Sequence, residues 1–374
     1  MKLFEYQAKE LFEEVGIPVP EGRLVSEASE LDGAIEEVGL PCAIKAQILR
    51  GGRGKAGLIQ FASSPEEARE KSGYIFGSLG EGRSLLVERA LNLDRELYLS
   101  ITTEPEMGSA VVMASAEGGV EIEEIARSMP DRIVRERVDV SEGLLPFQAR
   151  NVMFTLGLEG DEVRQGSAIL LNLYDLFRGY DAELVEVNPL VATEDGALVA
   201  ADAKFIIDDS SLHRQGRFPL SRAYFESDVE YEAAMEGIPY LRFDGDIGLM
   251  CAGSGLTNVI YDLVNYGGGS VASYVEFGGP NYRKAAMALE LTMRTEPEVV
   301  LMVTFGTIAR ADVIAEDLVG AIQRLKPDFP IVTAIRGTGE EKARELLRGA
   351  GLEPLDDTEE AVERAIELAG IAQG

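Results

Sequence analysis

The chain of 374 residues has no tryptophan, a single histidine and two cysteines. Cys42 and Cys251 stand far apart, each inside an apolar segment, so we expect buried thiols in a reducing compartment rather than a disulfide. With so few histidine and cysteine side chains, a zinc site is not expected. His213 lies in a polar stretch, which favours a surface position over a catalytic role.

Positive charge and long apolar runs are also scarce. Lysine and arginine total 35 against 65 aspartates and glutamates, and this net charge of −30 argues against nucleic acid or an anionic membrane as a partner. No apolar run approaches the length of a membrane span, and the first residues lack the apolar segment of a signal peptide. We therefore expect a cytoplasmic protein, and the length indicates two domains.

Glycine and positive charge occur together in residues 45–57. An apolar strand runs into glycines interleaved with Arg53 and Lys55, and a second apolar run follows at 58–62. Glycines let backbone N–H groups approach a ligand and the cations supply charge, a combination typical of polyphosphate binding. The alternative is a basic loop that binds nothing.

Two familiar phosphate loops do not fit this segment. A P-loop has a hydroxyl residue after Gly-Lys, but here Ala56 follows Lys55. Gly52, Gly54 and Gly57 have the dinucleotide spacing, yet that fingerprint opens a helix, whereas this one opens a strand. A β-hairpin closing over a nucleotide fits better.

A second hairpin, predicted over residues 184–191 and 198–207, carries oxygen ligands. Glu186 and Asn188 are two residues apart on one strand and share a face, and Asp202 lies on the partner strand. Asn188 and Asp202 could therefore meet across the ladder and hold Mg²⁺, which needs only one or two protein ligands besides phosphate and water. The alternative is a solvated acidic face.

From about residue 240, strands alternate regularly with helices, which predicts a parallel, doubly wound α/β domain. Turns at Gly253, Gly278 and Gly306 follow three of these strands, where open sheets bind ligands and helix N-termini present free N–H groups to an anion. Alternatively, the glycines serve only the turns. Helices are predicted over 5–15, 26–38 and 146–178, strands over 247–251, 271–277, 299–305 and 331–335, and a linker over 219–232.

Several separated motifs together resemble the β subunits of succinyl-CoA synthetase (succinate–CoA ligase, ADP-forming), in residues 1–9, 45–57, 86–88, 96–98, 117–123 and 186–190. The similarity covers nearly the whole chain and is strongest over 1–210. It implies an N-terminal ATP-grasp nucleotide-binding domain over 1–228. A flavodoxin-like CoA-ligase domain with a doubly wound parallel sheet would follow over 240–374, so that the fold combines α/β and α+β parts.

The resemblance also implies roles by position. Lys45 would contact nucleotide phosphate, Glu186 would approach a phosphohistidine, and Mg²⁺ would be held by Asn188 and Asp202. Pro20 stands where members that use ATP tend to have proline, which favours ATP and ADP over GTP and GDP. The remaining implied nucleotide contacts are Gly52, Arg53, Gly54, Glu88, Leu91 (through its backbone) and Glu96.

In the resembling family, the phosphorylated histidine belongs to an α subunit that also binds CoA. No histidine of this chain suits that role, so the resemblance implies a heterodimer or heterotetramer with an α subunit. Phosphate would pass between an acyl phosphate, the partner histidine and ADP held on Mg²⁺. The predicted function is the nucleotide-binding subunit of an ADP-forming acid–CoA ligase, with succinate as the expected acid.

Two turns depart from the family pattern. The family pattern Asn-Gly-Ala-Gly-Leu corresponds to residues 252–256 of this chain, where Ala252 replaces the asparagine and its side-chain amide. The family pattern Gly-Gly-Ile-Val corresponds to residues 306–309, where Thr307 adds a hydroxyl in place of the second glycine. These changes leave three alternatives open: another acid such as malate, a non-catalytic regulatory subunit, and a stand-alone carboxylate–amine ligase, which would not explain the second domain. The positions expected to meet the acid are Ala252, Thr307, Ile308 and Ala309.

Overall fold

The computed structural model describes residues 1–49, 51–79, 83–120, 122–306 and 309–370. Thr307 and Ile308, two positions expected to meet the acid, lie outside the described residues. The chain divides into two compact units, Met1–Leu220 and Ser221–Gly374. The domain limits predicted at residues 228 and 240 remain predictions.

The first unit mixes helices and strands. Its helices are α1 (Glu5–Glu14), α2 (Leu31–Val38), α3 (Pro65–Leu79), α4 (Ile122–Ser128), α5 (Pro146–Thr155) and α6 (Gly160–Gly179). Its strands are β1 (Gly22–Val25), β2 (Cys42–Ala46), β3 (Ile59–Ala62), β4 (Leu85–Arg89), β5 (Leu93–Glu104), β6 (Ser109–Ser115), β7 (Ile133–Val138), β8 (Ala182–Thr193), β9 (Leu198–Ala200) and β10 (Lys204–Ile207). Short 3₁₀ turns cover Ala28–Glu30, Pro105–Met107, Pro130–Arg132 and Asp209–Arg214.

These strands form antiparallel sheets with the orders β1-β4-β2-β3 and β10-β8-β5-β6-β7, and β9 pairs with β8. The predicted glycine-loop hairpin is confirmed, since Lys45 on β2 pairs with Ile59 on β3. One face of the first sheet packs on α2 and α3 through buried residues such as Ile44 and Val87. Because side chains alternate along a strand, Lys45 and Glu88 point to the opposite face.

Two predicted elements differ from the structure. The helix expected from Ser26 begins only at Leu31, because the Glu30 carboxylate accepts the Ser26 N–H at 2.7 Å and closes a turn first. The strand expected over 198–207 is broken between β9 and β10. In that break the Asp202 side chain accepts the Ala203 N–H at 2.7 Å, which takes this backbone group out of the ladder.

The second unit is organised around one mostly parallel sheet. Its helices are α7 (Asp228–Met235), α8 (Ser254–Tyr266), α9 (Ala285–Met293), α10 (Ala311–Leu325), α11 (Glu340–Gly349) and α12 (Thr358–Leu368). Its strands are β11 (Tyr240–Arg242), β12 (Ile247–Ala252), β13 (Val271–Glu276), β14 (Val299–Gly306) and β15 (Ile331–Gly337), and 3₁₀ turns cover Arg222–Tyr224 and Gly279–Asn281.

This sheet has the order β11-β13-β12-β14-β15 and is parallel except for β11. Residues of α9, α10 and α11 pack on one face, and residues of α8 and α12 pack on the other. The predicted doubly wound parallel domain is therefore confirmed. The strand order reverses between β12 and β14, and in open α/β sheets such a switch point lies beside the ligand crevice.

The linker predicted over 219–232 is wrong from residue 228 on, where α7 begins. The Ser227 hydroxyl accepts the Glu230 N–H at 3.2 Å, and the Glu230 carboxylate accepts the Ser227 N–H at 3.1 Å. This reciprocal capping box stabilises a helix start within polar sequence.

The scarce residue types lie where the sequence predicted them. Cys42 and Cys251 are buried free thiols, and burial raises the pKa of Cys251 to about 12. His213 is exposed in a 3₁₀ turn, with Nδ1 3.0 Å from the Ser210 carbonyl oxygen. Within the described ranges, none of the helices combines the length and apolar character that crossing a bilayer requires.

Candidate functional site

A cavity of about 840 Å³ lies in the first unit, a size suited to a ligand such as a nucleotide. Residues of both antiparallel sheets and of the glycine loop line it. Every residue predicted for the nucleotide, the metal and the phosphohistidine lies in this lining: Lys45, Gly52, Arg53, Gly54, Glu88, Leu91, Glu96, Glu186, Asn188 and Asp202. Pro20 lines the same cavity. The structure therefore brings together residues up to about half the chain apart.

Lys45 is a buried cation in this lining. Its Nζ lies 2.9 Å from Glu5 Oε1 and 2.7 Å from Glu88 Oε2, and donates to the Ala201 carbonyl oxygen at 2.6 Å. Burial by itself lowers the pKa of Lys45, but Glu5 and Glu88 outweigh it and raise this pKa above its usual value. Lys45 is therefore held charged, as binding of a phosphate requires.

Glu5, at the start of α1, is a site residue that sequence reasoning missed. It is 4% exposed and lies among three cations: Lys9 Nζ at 2.9 Å, Lys45 Nζ at 2.9 Å and an Arg53 guanidinium nitrogen at 2.6 Å. Burial raises the pKa of Glu5, but these cations outweigh it and hold the pKa well below its usual range. The available signal was Glu5 and Lys9 sharing a face of α1 with buried Phe12.

Lys9 is the other missed residue. Its Nζ pairs with Glu88 Oε1 and donates to the Ala201 carbonyl oxygen at 2.8 Å, so it binds the same groups as Lys45. Among the described residues, three carboxylates and three cations thus form one network with balanced charge. We call this set the buried ionic network; its members are Glu5, Lys9, Lys45, Arg53, Glu88 and Asp202.

Arg53 connects the glycine loop to the rest of the cavity. Its guanidinium binds both Asp202 oxygens, at 2.9 and 3.0 Å, and donates to the Ala46 carbonyl oxygen at 3.1 Å. The loop needs glycine at Gly52 and Gly57, whose φ values are +78° and +70°. The bidentate hydrogen bond of the Arg53 guanidinium therefore holds the glycine loop beside Asp202, a predicted metal ligand.

Asp202 is the most exposed member of the network, with 29% of its side chain accessible. Burial and the nearby Glu5 carboxylate raise the pKa of Asp202 above its usual value. Arg53 and Lys45 act in the opposite direction. A divalent cation bound to this carboxylate would add further positive charge and favour its ionised form.

Asn188 and Asp202 occupy facing positions in the register of the second hairpin. The register pairs Glu186 with Lys204 and Leu190 with Ala200, and Asn188 and Asp202 stand between these pairs. No group of three or more His, Cys, Asp or Glu side chains suited to a metal is found in the described segments. The donor set is one carboxylate and one amide oxygen, which fits Mg²⁺ completed by phosphate and water, and does not fit zinc.

Glu186 lies two residues before Asn188 on β8, so the two side chains share a face of the sheet. The Tyr98 hydroxyl donates to Glu186 at 3.3 Å, and Lys204 Nζ lies 3.9 Å away. Burial raises the pKa of Glu186, while Lys204 and the Tyr98 hydrogen bond oppose this effect. A carboxylate with a raised pKa can hold a proton or accept a hydrogen bond from an imidazole, so the geometry is compatible with its predicted role.

In the second unit, Ala252 ends β12 and pairs in register with Thr304 on β14. The N–H group of the next residue, Gly253, has a protein partner. Its N–H donates to Glu276 Oε1 at 2.9 Å, and Gly278 N–H donates to the same oxygen at 2.6 Å. A carboxylate at a helix N-terminus is favourable, and Glu276 fills that position at α8.

One N–H group at the start of α10 also has a protein partner. Ala311 N–H donates to the Thr338 carbonyl oxygen at 2.9 Å, so this group is also not free. The Asp312 carboxylate, at the same helix start, accepts from Arg310 at 3.0 and 2.9 Å. Ala309 packs against the apolar core under the sheet. The N–H groups of Gly253, Gly278 and Ala311 are therefore bound by protein oxygens, and an anion site at these helix starts stays a prediction.

Comparison with known proteins shows that two family models match this chain. Residues 2–192 match the family model described as an ATP-grasp domain. Residues 250–368 match the model described as CoA-ligase. The first match includes the glycine loop and Asn188 and ends before Asp202, and the second includes strands β13, β14 and β15.

Similar proteins span the whole chain. An ADP-forming sulfoacetate-CoA ligase subunit of Bilophila wadsworthia is 55% identical over 99% of this chain and 99% of its own. Another sulfoacetate-CoA ligase subunit, from Acholeplasma sp., is 50% identical over 99% of this chain and 92% of its own. The ADP-forming succinate–CoA ligase β subunit of Ignicoccus hospitalis is 40% identical over 100% of both chains.

A solved structure has a similar fold at low identity. The ATP citrate lyase of Methanothrix soehngenii, in complex with citrate and coenzyme A, superposes with a TM-score of 0.72 at 20% identity. The match covers 98% of this chain and 99% of that chain. This similarity extends over both compact units and concerns the fold alone.

Proposed function

The chain belongs to the family of β subunits of ADP-forming acid–CoA ligases, which use ATP or ADP with Mg²⁺, and we propose that it serves such an enzyme with sulfoacetate as the acid. The observation that carries the nucleotide part of the proposal is the cavity of the first unit. There Lys45 and Arg53 supply positive charge beside Asn188 and Asp202, which supply oxygen ligands. This combination suits a nucleotide polyphosphate and its metal ion.

In this proposal Lys45 and Arg53 bind and orient the phosphates of ATP or ADP, and Asn188 and Asp202 hold Mg²⁺. The metal would neutralise charge that develops on the phosphoryl oxygens during transfer. The buried ionic network keeps the cations fixed before the nucleotide arrives, so little reorganisation is needed. Glu88 contributes through Lys45 and Lys9, which it holds in place.

A partner α subunit is part of the proposal, because the similar proteins are named as subunits. The chain's His213 is exposed in a 3₁₀ turn and is not among the residues lining the cavity. A phosphorylated histidine of the partner would therefore enter the cavity, where Glu186 accepts its imidazole N–H. Phosphate would pass from the histidine to ADP, or in the reverse direction from ATP.

The choice of sulfoacetate is supported by the relatives at 55% and 50% identity, whose names carry this acid, against 40% for a succinate–CoA ligase subunit. Sulfoacetate carries a sulfonate one methylene away from its carboxylate, whereas succinate carries its second carboxylate two methylenes away. A sulfonate has three acceptor oxygens and stays ionised, so it needs other contacts. Ala252, where the resembling family has an amide, fits such a change of acid.

Succinate is the second candidate, favoured by a relative that matches this chain over its full length. The test is to purify the chain with a co-expressed α partner and to supply ATP, CoA and one acid at a time: sulfoacetate, succinate or malate. ADP and acyl-CoA are measured as products. We expect kcat/KM for sulfoacetate to exceed that for succinate by at least about tenfold.

Each outcome of this assay has a distinct meaning. A preference for succinate or malate would overturn the assignment of the acid and leave the nucleotide site intact. Absence of ADP formation with every acid in the panel would overturn the proposed catalytic role. ADP formation with an amine in place of CoA, and without the α partner, would support the stand-alone ligase alternative instead.

A further inference from the structure

The side chain of Asn188 is bound on both sides by one short backbone segment. Its Oδ1 accepts the N–H of Gly119 at 2.8 Å, and its Nδ2 donates to the carbonyl oxygen of Val120 at 2.8 Å. Gly119 and Val120 thus offer one donor and one acceptor, matched to the acceptor and donor of the amide. This segment belongs to the motif at 117–123, for which the sequence suggested no role.

The two hydrogen bonds select one of the two orientations of the amide. A half-turn about the last side-chain bond would set the NH₂ group against the Gly119 N–H and the oxygen against the Val120 carbonyl. Both contacts would then be repulsive. The observed orientation leaves Oδ1 with a second lone pair, whereas Nδ2 has no lone pair to offer a cation. Only this orientation makes Asn188 a metal ligand.

A side chain is disfavoured at two successive positions of this segment, by backbone strain and a displaced Glu96 at Gly119 and by backbone contact at Gly118. Gly119 has φ of +72°, and a Cβ there would lie 2.4 Å from Glu96 Oε2. A Cβ at Gly118 would lie 2.6 Å from the Leu97 carbonyl oxygen, and the Gly118 N–H donates to the Glu96 carbonyl oxygen at 2.9 Å. The segment is thus fixed against β5, beside a residue predicted to contact the nucleotide.

We propose that Gly119 and Val120 are positioning residues that turn the oxygen of Asn188 toward Mg²⁺. The proposal rests on the proposed function, because it takes Asn188 as a ligand of the metal bound with the nucleotide. Gly119 acts through its backbone N–H, and its lack of a side chain lets Glu96 and Asn188 approach it from two sides.

The test compares binding of ADP with and without MgCl₂ by calorimetric titration of the full chain, in the wild type and in Gly119→Ala. The ratio of the two affinities isolates the metal contribution, because displacement of Glu96 changes both titrations. We expect Gly119→Ala to lower this ratio by about 10- to 100-fold, the range for partners that orient metal ligands. Gly196→Ala is the matched control, since Gly196 has φ of +83° and open space around it.

Two further variants separate orientation from general damage. Asn188→Ala is expected to lower the ratio as much as Gly119→Ala, with no further loss in the double variant. In an Asn188→Asp background, where either orientation presents an oxygen, adding Gly119→Ala is expected to leave the ratio unchanged. A ratio that falls equally in this background would overturn the orienting role.

The failure of this inference is distinguishable from the failure of the proposed function. If Asn188→Ala lowers the ratio and a folded Gly119→Ala does not, the positioning role is overturned and the metal site stands. If the wild type shows no Mg²⁺-dependent ADP binding, or Asn188→Ala leaves the ratio unchanged, the metal site and this inference both fall. Should Gly119→Ala not fold, hydrogen exchange of the Gly119 amide decides: loss of protection in Asn188→Ala supports the contact, and equal exchange overturns it.

Discussion

The two compact units position charge in different ways. In the first unit, charged side chains from distant parts of the sequence meet in the cavity, as Glu5, Lys45 and Asp202 do. In the second unit, carboxylates such as Glu276 bind backbone N–H groups at the ends of strands. The first arrangement depends on particular charged residues, whereas the second depends mainly on backbone shape.

This difference explains where the chain departs from the succinyl-CoA synthetase pattern. Replacing one member of the buried ionic network would leave a buried charge uncompensated, which is costly. A change such as the alanine at Ala252 alters a side chain at the end of a strand and leaves the backbone turn intact. We infer that the nucleotide-site residues of the first unit resist substitution while the positions of the second unit predicted to meet the acid can change, and five variants test this contrast.

The largest expected effect is that of Asp202→Ala in the first unit. Loss of a metal ligand removes several kcal/mol of transition-state stabilisation, so kcat/KM of the complex should fall by about 10³-fold. ADP formation with saturating acid and CoA measures it, and Asp161→Ala on the exposed start of α6 is the control. Unchanged activity would instead favour a non-catalytic regulatory subunit.

Glu5→Gln tests the buried ionic network through stability. The neutral amide leaves Lys9, Lys45 and Arg53 without one of their shared carboxylates, and breaking such a buried pair costs about 3–5 kcal/mol. Chemical unfolding followed in the first unit should reveal this loss. Glu13→Gln, at an exposed position of the same helix, should change little. Equal stability of the two variants would contradict the central role of Glu5.

Glu186→Gln should change the stability of the folded protein in a way that depends on pH. Burial raises the folded-state pKa of Glu186 above its unfolded value of about 4.3. Below that value the carboxyl is neutral in both states, and as pH rises through the raised folded pKa the wild type loses stability that the neutral variant keeps. We expect the variant to be the more stable protein at pH 8 but not at pH 4.

The same Glu186→Gln variant should transfer phosphate about 10²-fold more slowly, because the amide no longer accepts a proton or a charge-assisted hydrogen bond. Thermal unfolding at the two pH values and a single-turnover phosphorylation assay measure the two effects. Glu183→Gln, exposed on the same strand, is the control. A stability difference that is the same at both pH values would contradict the assigned cause.

Ala252→Asn should have a moderate effect, confined to the acid. Restoring the amide should shift the ratio of kcat/KM for succinate over sulfoacetate upward by about tenfold, the size of one hydrogen-bond contact to a substrate. The KM for ATP serves as the internal control and should not change. An equal change for both acids would mean that Ala252 does not contribute to selectivity.

Glu276→Gln should have the smallest effect. The amide oxygen can still accept the N–H groups of Gly253 and Gly278, but a neutral acceptor forms weaker bonds than a charged one, by about 1 kcal/mol. Thermal unfolding of the second unit measures the change against Glu298→Gln at an exposed position. A loss above that of Glu5→Gln would reverse the contrast between the units.

Much of the fold and part of the site could be predicted because their signals are local. Short stretches of neighbouring residues predict each of three features: the hairpin around Lys45, the parallel strands after residue 240, and the oxygens at Asn188 and Asp202. Their common position around one cavity agrees with the resemblance that connected these motifs.

The remaining features depend on contacts that no local pattern contains. Glu5 bonds to Lys45 across 40 positions and Lys9 to Glu88 across 79, and the helical pattern around them shows only one buried face. The N–H groups of Gly253 and Ala311 have protein partners, because tertiary neighbours supply acceptors that periodicity does not reveal.

The balanced charge of the buried ionic network has a consequence for ionic strength. Its three carboxylates and three cations compensate one another inside the fold, while the chain as a whole carries a net charge of −30. Dissolved ions screen exposed charges over about 8 Å at physiological salt and buried pairs far less. Potassium chloride should therefore alter encounters with a partner subunit or an anionic substrate much more than it alters the alignment of Lys45 and Arg53.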